Sequence, residues 1–170
     1  MHAKTFWILA TCSAMGILSI GCKQGQKAHA VQSEAADTEP PYVMVYMSRS
    51  YCYGKCPVYR VEIFTDGTID YIGEANVPRI GHFRARLSRE EVDALRQKIH
   101  EVGFWDFAPS YPDDGTIITD LPTTTIQVRI GDMMKKVLDK HGAPRALKEF
   151  EVYVERLLEN RKWTAVSSDQ

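Results

Sequence analysis

Two tight-turn dipeptides, Asp66-Gly67 and Gly131-Asp132, most constrain the fold of this chain. Glycine accepts a positive φ angle and aspartate tolerates one, so such pairs favour two-residue hairpins between antiparallel strands. Each pair lies between segments of strand composition: 58–64 and 68–72 around the first, 124–130 and 133–138 around the second. The sequence therefore predicts two β-hairpins within a mainly antiparallel sheet.

Two more strands and two helices complete the pattern. Val43, Val45 and Met47 alternate with their neighbours, and 81–87 is a fourth strand before the first helix. Ser88 and Glu91 have the spacing of a helix capping box. The first predicted helix has an apolar stripe at helical spacing: Val92, Leu95, Ile99 and Val102. The second begins after Gly142-Ala143-Pro144, and its stripe consists of Leu147, Phe150, Val154, Leu157 and Leu158.

The order ββββαββα contains no alternation of single strands and helices. Hairpin connections of this kind predict an α+β fold, with about six strands in a mainly antiparallel sheet and two helices packed on one face. We expect one such domain over residues 42–163 and a disordered tail over 164–170.

The N-terminus resembles a bacterial lipoprotein signal. Lys4 precedes an apolar run over 6–20, which is shorter than the roughly 20 residues of a membrane-spanning helix, and small residues lead into Cys22. We expect residues 1–21 to be a signal peptide and the Cys22 thiol to carry lipid. In the alternative interpretation the leader is a retained membrane anchor and Cys22 is an ordinary thiol.

Residues 22–41 have the composition of a flexible tether, because they contain few large apolar side chains and end in Pro40-Pro41. The expected location is the bacterial cell envelope, lipid-anchored and facing the periplasm. Many enterobacterial lipoproteins retained at the inner membrane carry aspartate after the lipidated cysteine. Lys23 at that position favours the outer membrane.

Charge and motif content argue against several classes of function. The chain has 21 Lys and Arg against 22 Asp and Glu, and its net charge of -1 gives no reason to expect a nucleic acid partner. No nucleophile elbow, phosphate-binding loop or calcium-loop spacing is present. We therefore expect no catalytic residue, no cofactor and no metal, unless the fold brings His82 or His141 to the cysteines. No pattern fixes an oligomeric state.

Cys52 and Cys56 remain after the leader and Cys22 are set aside. An even pair in an oxidising compartment favours a disulfide, and Gly54 allows the short loop between them to bend. The alternative is a thiol redox or copper-handling pair, since thiolates suit Cu(I) and Lys55 would favour the thiolate form. Pro57 leads into a strand, however, whereas the copper sites of thioredoxin-fold proteins place their cysteines before a helix.

Three tyrosines near the cysteines, Tyr51, Tyr53 and Tyr59, are candidate partner-binding residues. An aromatic ring with a polar hydroxyl suits contact with an envelope protein or a glycan. In the alternative interpretation they cover the core and keep their hydroxyl groups in water.

Residues 52–59 (Cys-Tyr-Gly-Lys-Cys-Pro-Val-Tyr), followed by Asp66-Gly67, Tyr71 and Gly73, resemble the opening of the bacterial domain of unknown function 6438 family. Later features resemble its second half: 120–124 (Asp-Leu-Pro-Thr-Thr), the Gly131 hairpin, Gly142-Ala143-Pro144 and the helix before Trp163. The resemblance spans about Tyr42 to Trp163, implies a small secreted or lipid-anchored domain, and assigns no catalytic residue. We expect a non-enzymatic binding or structural module, with the thiol redox or copper role as the alternative.

Overall fold

The computed structural model describes residues 39–117 and 119–167. The predicted signal peptide, Cys22 and most of the predicted tether lie outside the described residues. Eight strands, two α-helices and a short 3-10 helix (Phe104–Asp106) occur within these ranges. The strands and α-helices are β1 Val43–Arg49, β2 Val58–Phe64, β3 Thr68–Ala75, β4 Gly81–Arg86, α1 Arg89–Glu101, β5 Ser110–Tyr111, β6 Thr124–Ile130, β7 Met133–Asp139, α2 Arg145–Leu157 and β8 Thr164–Ala165.

The strands form one sheet in the order β5-β7-β6-β1-β2-β3-β4-β8. Neighbouring strands are antiparallel except β5 and β7, which are parallel. The predicted α+β class is confirmed, but the predicted number of six strands is too low. The two additional strands, β5 and β8, have two residues each, and such short strands show no alternation in the sequence.

The predicted disordered tail is wrong at its first two residues. Thr164 and Ala165 pair with β4, and the Val166 amide donates to the His82 carbonyl oxygen at 2.9 Å. Both strand residues are exposed. Backbone hydrogen bonds, and not the side chains of Thr164 and Ala165, therefore hold this strand. For this reason no apolar pattern in the sequence predicts it.

Both predicted hairpins are present. Gly131-Asp132 connects β6 and β7 directly, whereas the β2–β3 connection has three residues, 65–67, rather than two. Gly67 ends that turn with a φ of 86°, and its amide donates to the Phe64 carbonyl oxygen at 3.0 Å. A three-residue hairpin commonly places a left-handed residue at this point.

One face of the sheet and both helices enclose a single apolar core. The capping box at α1 is confirmed: the Ser88 hydroxyl accepts from the Glu91 amide at 3.3 Å, and the Glu91 carboxylate accepts from the Ser88 amide at 2.8 Å. The predicted stripes of α1 and α2 face the core, and α2 also buries Glu151, a charged residue that the apolar pattern does not include.

The two ends of the sheet differ. At the hairpin end lie both tight turns and Tyr42, whose carbonyl oxygen accepts from the Thr65 amide at 3.0 Å and whose hydroxyl accepts from the Gly131 amide at 2.9 Å. The described chain therefore enters the sheet at this end. At the opposite end, which we call the disulfide end, β1 and β7 terminate and β2 and β6 begin.

Candidate functional site

A short loop between β1 and β2 carries both cysteines at the disulfide end. The sulfur atoms of Cys52 and Cys56 lie within bonding distance, and their Cα atoms are 5.9 Å apart. Gly54 between them has a φ of 153°, which an L-residue rarely adopts. The geometry therefore fits the predicted disulfide, and it defines what we call the disulfide loop, residues 50–57.

The disulfide loop is fixed to its neighbours by hydrogen bonds. The Ser50 amide donates to the Thr123 carbonyl oxygen at 3.1 Å, and the Thr123 amide donates back to the Ser50 hydroxyl at 2.9 Å. The Tyr53 amide donates to the Asp120 carbonyl oxygen at 3.3 Å. On the other side, the Asn76 side-chain amide donates to the Cys56 carbonyl oxygen at 2.9 Å. The loop is thus held from two directions.

Large side chains project from this fixed loop into solvent. Tyr51 is 64% exposed, Tyr53 is 92% exposed, and Leu121 on the adjoining segment is 39% exposed. We call these three residues the exposed tip. Because the backbone of this segment is already ordered, it would lose little further conformational entropy when a partner covered these side chains.

The expectation that Tyr59 belongs to the same exposed surface is wrong. Tyr59 is only 6% exposed, and its ring stacks on Tyr71 with centroids 5.7 Å apart. Its hydroxyl donates to Glu155 Oε1 at 2.8 Å. Burial and the Glu155 carboxylate raise the pKa of Tyr59. The reason is strand alternation, which turns Tyr59 to the same face of β2 as the buried Val61.

Behind the disulfide loop lies a group of charged residues, which we call the ionic cluster: Arg49, Asp139, Lys148, Glu151 and Glu155. Arg49 Nη2 lies 2.9 Å from Glu155 Oε1 and 3.7 Å from Glu151 Oε2. Lys148 Nζ pairs with the Asp139 carboxylate and lies 3.4 Å from Glu151 Oε2. These contacts join α2 to β1 and β7 at the disulfide end.

Two carboxyl groups of the ionic cluster are inside the protein. Asp139 and Glu151 are each 2% exposed, and both carboxyl groups contact Lys148. Burial, and then the contact with Asp139, raise the pKa of Glu151 to about 7. The sequence pattern does not predict this cluster, although it contains one signal: Glu151 follows Leu147 by four residues and therefore falls on the apolar stripe of α2.

The remaining candidate ligands are dispersed. Within residues 39–117 and 119–167, no group of three or more His, Cys, Asp or Glu side chains is placed to hold a metal ion. His82 contacts Asp70 on the outer face of the sheet, far in sequence from the disulfide loop. Asp114 accepts from the Thr116 amide at 2.9 Å, which is ordinary turn chemistry.

Among the described residues, no helix has the length and apolar character that crossing a membrane requires.

Comparison with known protein families identifies the family of this domain. The chain matches the family described as Domain of unknown function (DUF6438) over residues 43–158, which is more than half of its length. A search of curated proteins finds no match. The matched segment begins at β1 and ends immediately after α2, so it contains the disulfide loop, the exposed tip and the ionic cluster. The chain belongs to the DUF6438 family.

Proposed function

We propose that this protein is a lipid-anchored, non-enzymatic domain of the bacterial cell envelope that binds an envelope partner through the exposed tip. The observation that carries the proposal is Tyr53, which is 92% exposed on a loop held by a disulfide and by hydrogen bonds on both sides. Large aromatic side chains on an ordered backbone are the residues that most often dominate binding energy.

The position of the chain entry is consistent with this role. The described residues begin at the hairpin end, where Tyr42 contacts both turns, and the exposed tip is at the opposite end of the sheet. The described chain thus begins at the end of the sheet opposite the surface that we propose for a protein or glycan partner. The Glu151 carboxyl group, whose pKa is raised, lies behind the loop and not at the tip.

The anchor is tested by mass spectrometry of the mature N-terminus. We expect a chain that begins at Cys22 and carries the mass of attached acyl groups, and a Cys22→Ser variant that is released from the membrane fraction. A mature chain that begins at Met1 without modification would contradict the proposed anchor.

The binding surface is tested by site-specific photo-crosslinking in living cells. A photo-reactive residue in place of Tyr53 is expected to give adducts of discrete mass. The matched control is the same residue in place of Met134, which is 64% exposed and lies in β7 near the hairpin end. Identical adducts from both positions, or none from position 53, would remove the support for the exposed tip.

A thiol redox or copper-handling role is the second candidate, and the partial exposure of both Cys52 and Cys56 favours it. A reduction potential below about -300 mV marks a structural disulfide, whereas a potential in the range of oxidoreductases favours exchange chemistry. Titration of the reduced domain with Cu(I) distinguishes copper handling from a structural disulfide and from thiol exchange. We expect the low potential and weak copper binding.

A further inference from the structure

The charges of the ionic cluster do not balance unless it holds a proton. It contains two cations, Arg49 and Lys148, and three acidic groups, on Asp139, Glu151 and Glu155. Two further groups that face it carry no charge: the Tyr59 hydroxyl from β2 and Thr124 from β6, which pairs with Asp139 across the strands. With all three acids ionised the cluster carries one excess negative charge, and burial makes such a charge costly.

The contacts within the cluster point to a place for that proton. Lys148 contacts one oxygen of Asp139 and one oxygen of Glu151. The other oxygens, Asp139 Oδ1 and Glu151 Oε1, have no hydrogen-bond donor among the described residues, and both are buried. A proton on one of the two carboxyl groups supplies the missing donor and also cancels the excess charge.

The cluster is directly connected to the disulfide loop. Arg49 and Tyr59 occupy the two stems of the loop, one residue before Ser50 and two residues after Pro57, and both bind Glu155 Oε1, at 2.9 Å and 2.8 Å. Arg49 is also 3.7 Å from Glu151. A negative charge on Glu151 therefore competes with Glu155 for the guanidinium group that fixes one stem.

We propose that the buried carboxyl pair Asp139–Glu151 is a proton-binding site whose occupancy near neutral pH controls how firmly α2 holds the stems of the disulfide loop. With the proton bound, the cluster is neutral and Arg49 stays on Glu155. When the proton is lost, Arg49 is drawn towards Glu151 and the loop stem loosens. A further consequence rests on the proposed function: if the exposed tip is the binding surface, its affinity for the partner changes with the protonation of this site.

The raised pKa of Glu151, about 7, supports this assignment and fixes its sign. A group whose pKa is higher in the folded state stabilises the fold most at low pH. This stabilisation is complete below the ordinary value of about 4.5 and is lost as the pH rises to about 7. The domain is thus held more tightly in mild acid than at pH 8.

The test is a pH titration by NMR of the wild-type domain, labelled with ¹³C at its side-chain carboxyl groups. We expect the Glu151 carboxyl carbon to titrate with a midpoint near 7 instead of about 4.5. The amide signals of residues 50–57 should shift with the same midpoint. A Glu151 midpoint below about 5.5 overturns the proton site, and unmoved loop signals overturn its coupling to the loop.

Two variants make the result specific. Glu151→Gln keeps the shape and supplies a permanent donor to Asp139, so its loop signals should stay at their low-pH positions from pH 5 to 8.5. Glu149→Gln is the control, because Glu149 pairs with the exposed Arg145 on the solvent side of the same helix, and it should titrate like the wild type. Loop signals of Glu151→Gln that still move with a midpoint near 7 would contradict the proposal. Neither readout involves a partner, so failure of this inference is distinguishable from failure of the proposed function.

Discussion

Gly73 illustrates how one absent side chain shapes the fold around the site. A Cβ atom on this residue would lie 1.8 Å from the Arg79 carbonyl oxygen and 2.8 Å from Val77 Cγ2. The connection between β3 and β4 therefore passes directly over Gly73. The same connection supplies Asn76, which holds the disulfide loop. Glycine is needed here for close approach and not for an unusual backbone angle.

We predict that Gly73→Ala destabilises the domain by about 1–3 kcal/mol, because the β3–β4 connection must move to admit the methyl group. Denaturant unfolding measures this loss. The control is Glu74→Ala, at the next and exposed position of the same strand, which should change stability by less than about 0.5 kcal/mol. Equal effects of the two substitutions would show that the close approach is unimportant.

At the scale of elements, the disulfide loop is an attachment to the sheet and not part of its core. Cys52 and Cys56 are only partly buried, and the core is built from strands and helices on either side. Loss of the bond should therefore free the loop without unfolding the domain.

We predict that Cys52→Ser/Cys56→Ser lowers the free energy of unfolding by about 2 kcal/mol, the loop-entropy value for so short a ring. Comparison of unfolding with and without reductant provides the check, since reductant should lower wild-type stability by a similar amount and leave the variant unchanged. Collapse of the whole fold in the variant would mean that the disulfide supports the core.

The junction of α1 with the segment after α2 depends on one ion pair. Arg161 Nη2 donates to Glu91 Oε1 at 2.6 Å, and Nη1 donates to Oε2 at 2.9 Å. Glu91 thus serves both the capping box and this pair. The Arg161 hydrogen bonds hold the pKa of Glu91 below its ordinary value. Stabilisation from Glu91 is therefore present above about pH 4.5 and is lost as the pH falls through its lowered pKa.

We predict that Arg161→Met lowers stability by about 0.5–1 kcal/mol at neutral pH, and that the difference from wild type shrinks below about pH 4 as Glu91 becomes protonated. Unfolding curves at several pH values give this difference directly. Lys98→Met, which removes the 3.7 Å contact with Glu101 at the other end of α1, is the control and should cost less. A difference that is constant down to pH 3 would contradict the role of Glu91.

Across the whole molecule, sequence patterns predicted the features that depend on contacts between residues close together in the chain. The hairpin glycines, the capping box at Ser88 and the apolar stripes all act over a few residues. Each appears in the structure, although the first hairpin has a turn of three residues instead of two. The α+β class followed from their order. The strands β5 and β8 escaped prediction because partners distant in the chain hold them by backbone hydrogen bonds.

The site was predictable only in part, for the same reason. The sequence brings Tyr51, Tyr53 and Tyr59 close together, but the loop exposes the first two and the strand buries the third. The ionic cluster joins residues separated by about a hundred positions, from Arg49 to Glu155, so their meeting depends on the sheet order and on the placement of α2. Only the spacing of Glu151 on its helix hinted at it.

The central claim is that the exposed tip binds an envelope partner. The most direct measurement is saturation binding of labelled protein to isolated cell envelopes, with Cys22→Ser in every sample so that the lipid contributes nothing. We predict saturable binding that Tyr53→Ala weakens at least about tenfold and that Met134→Ala leaves within about twofold. Binding that is absent, or that both substitutions weaken equally, would contradict the account.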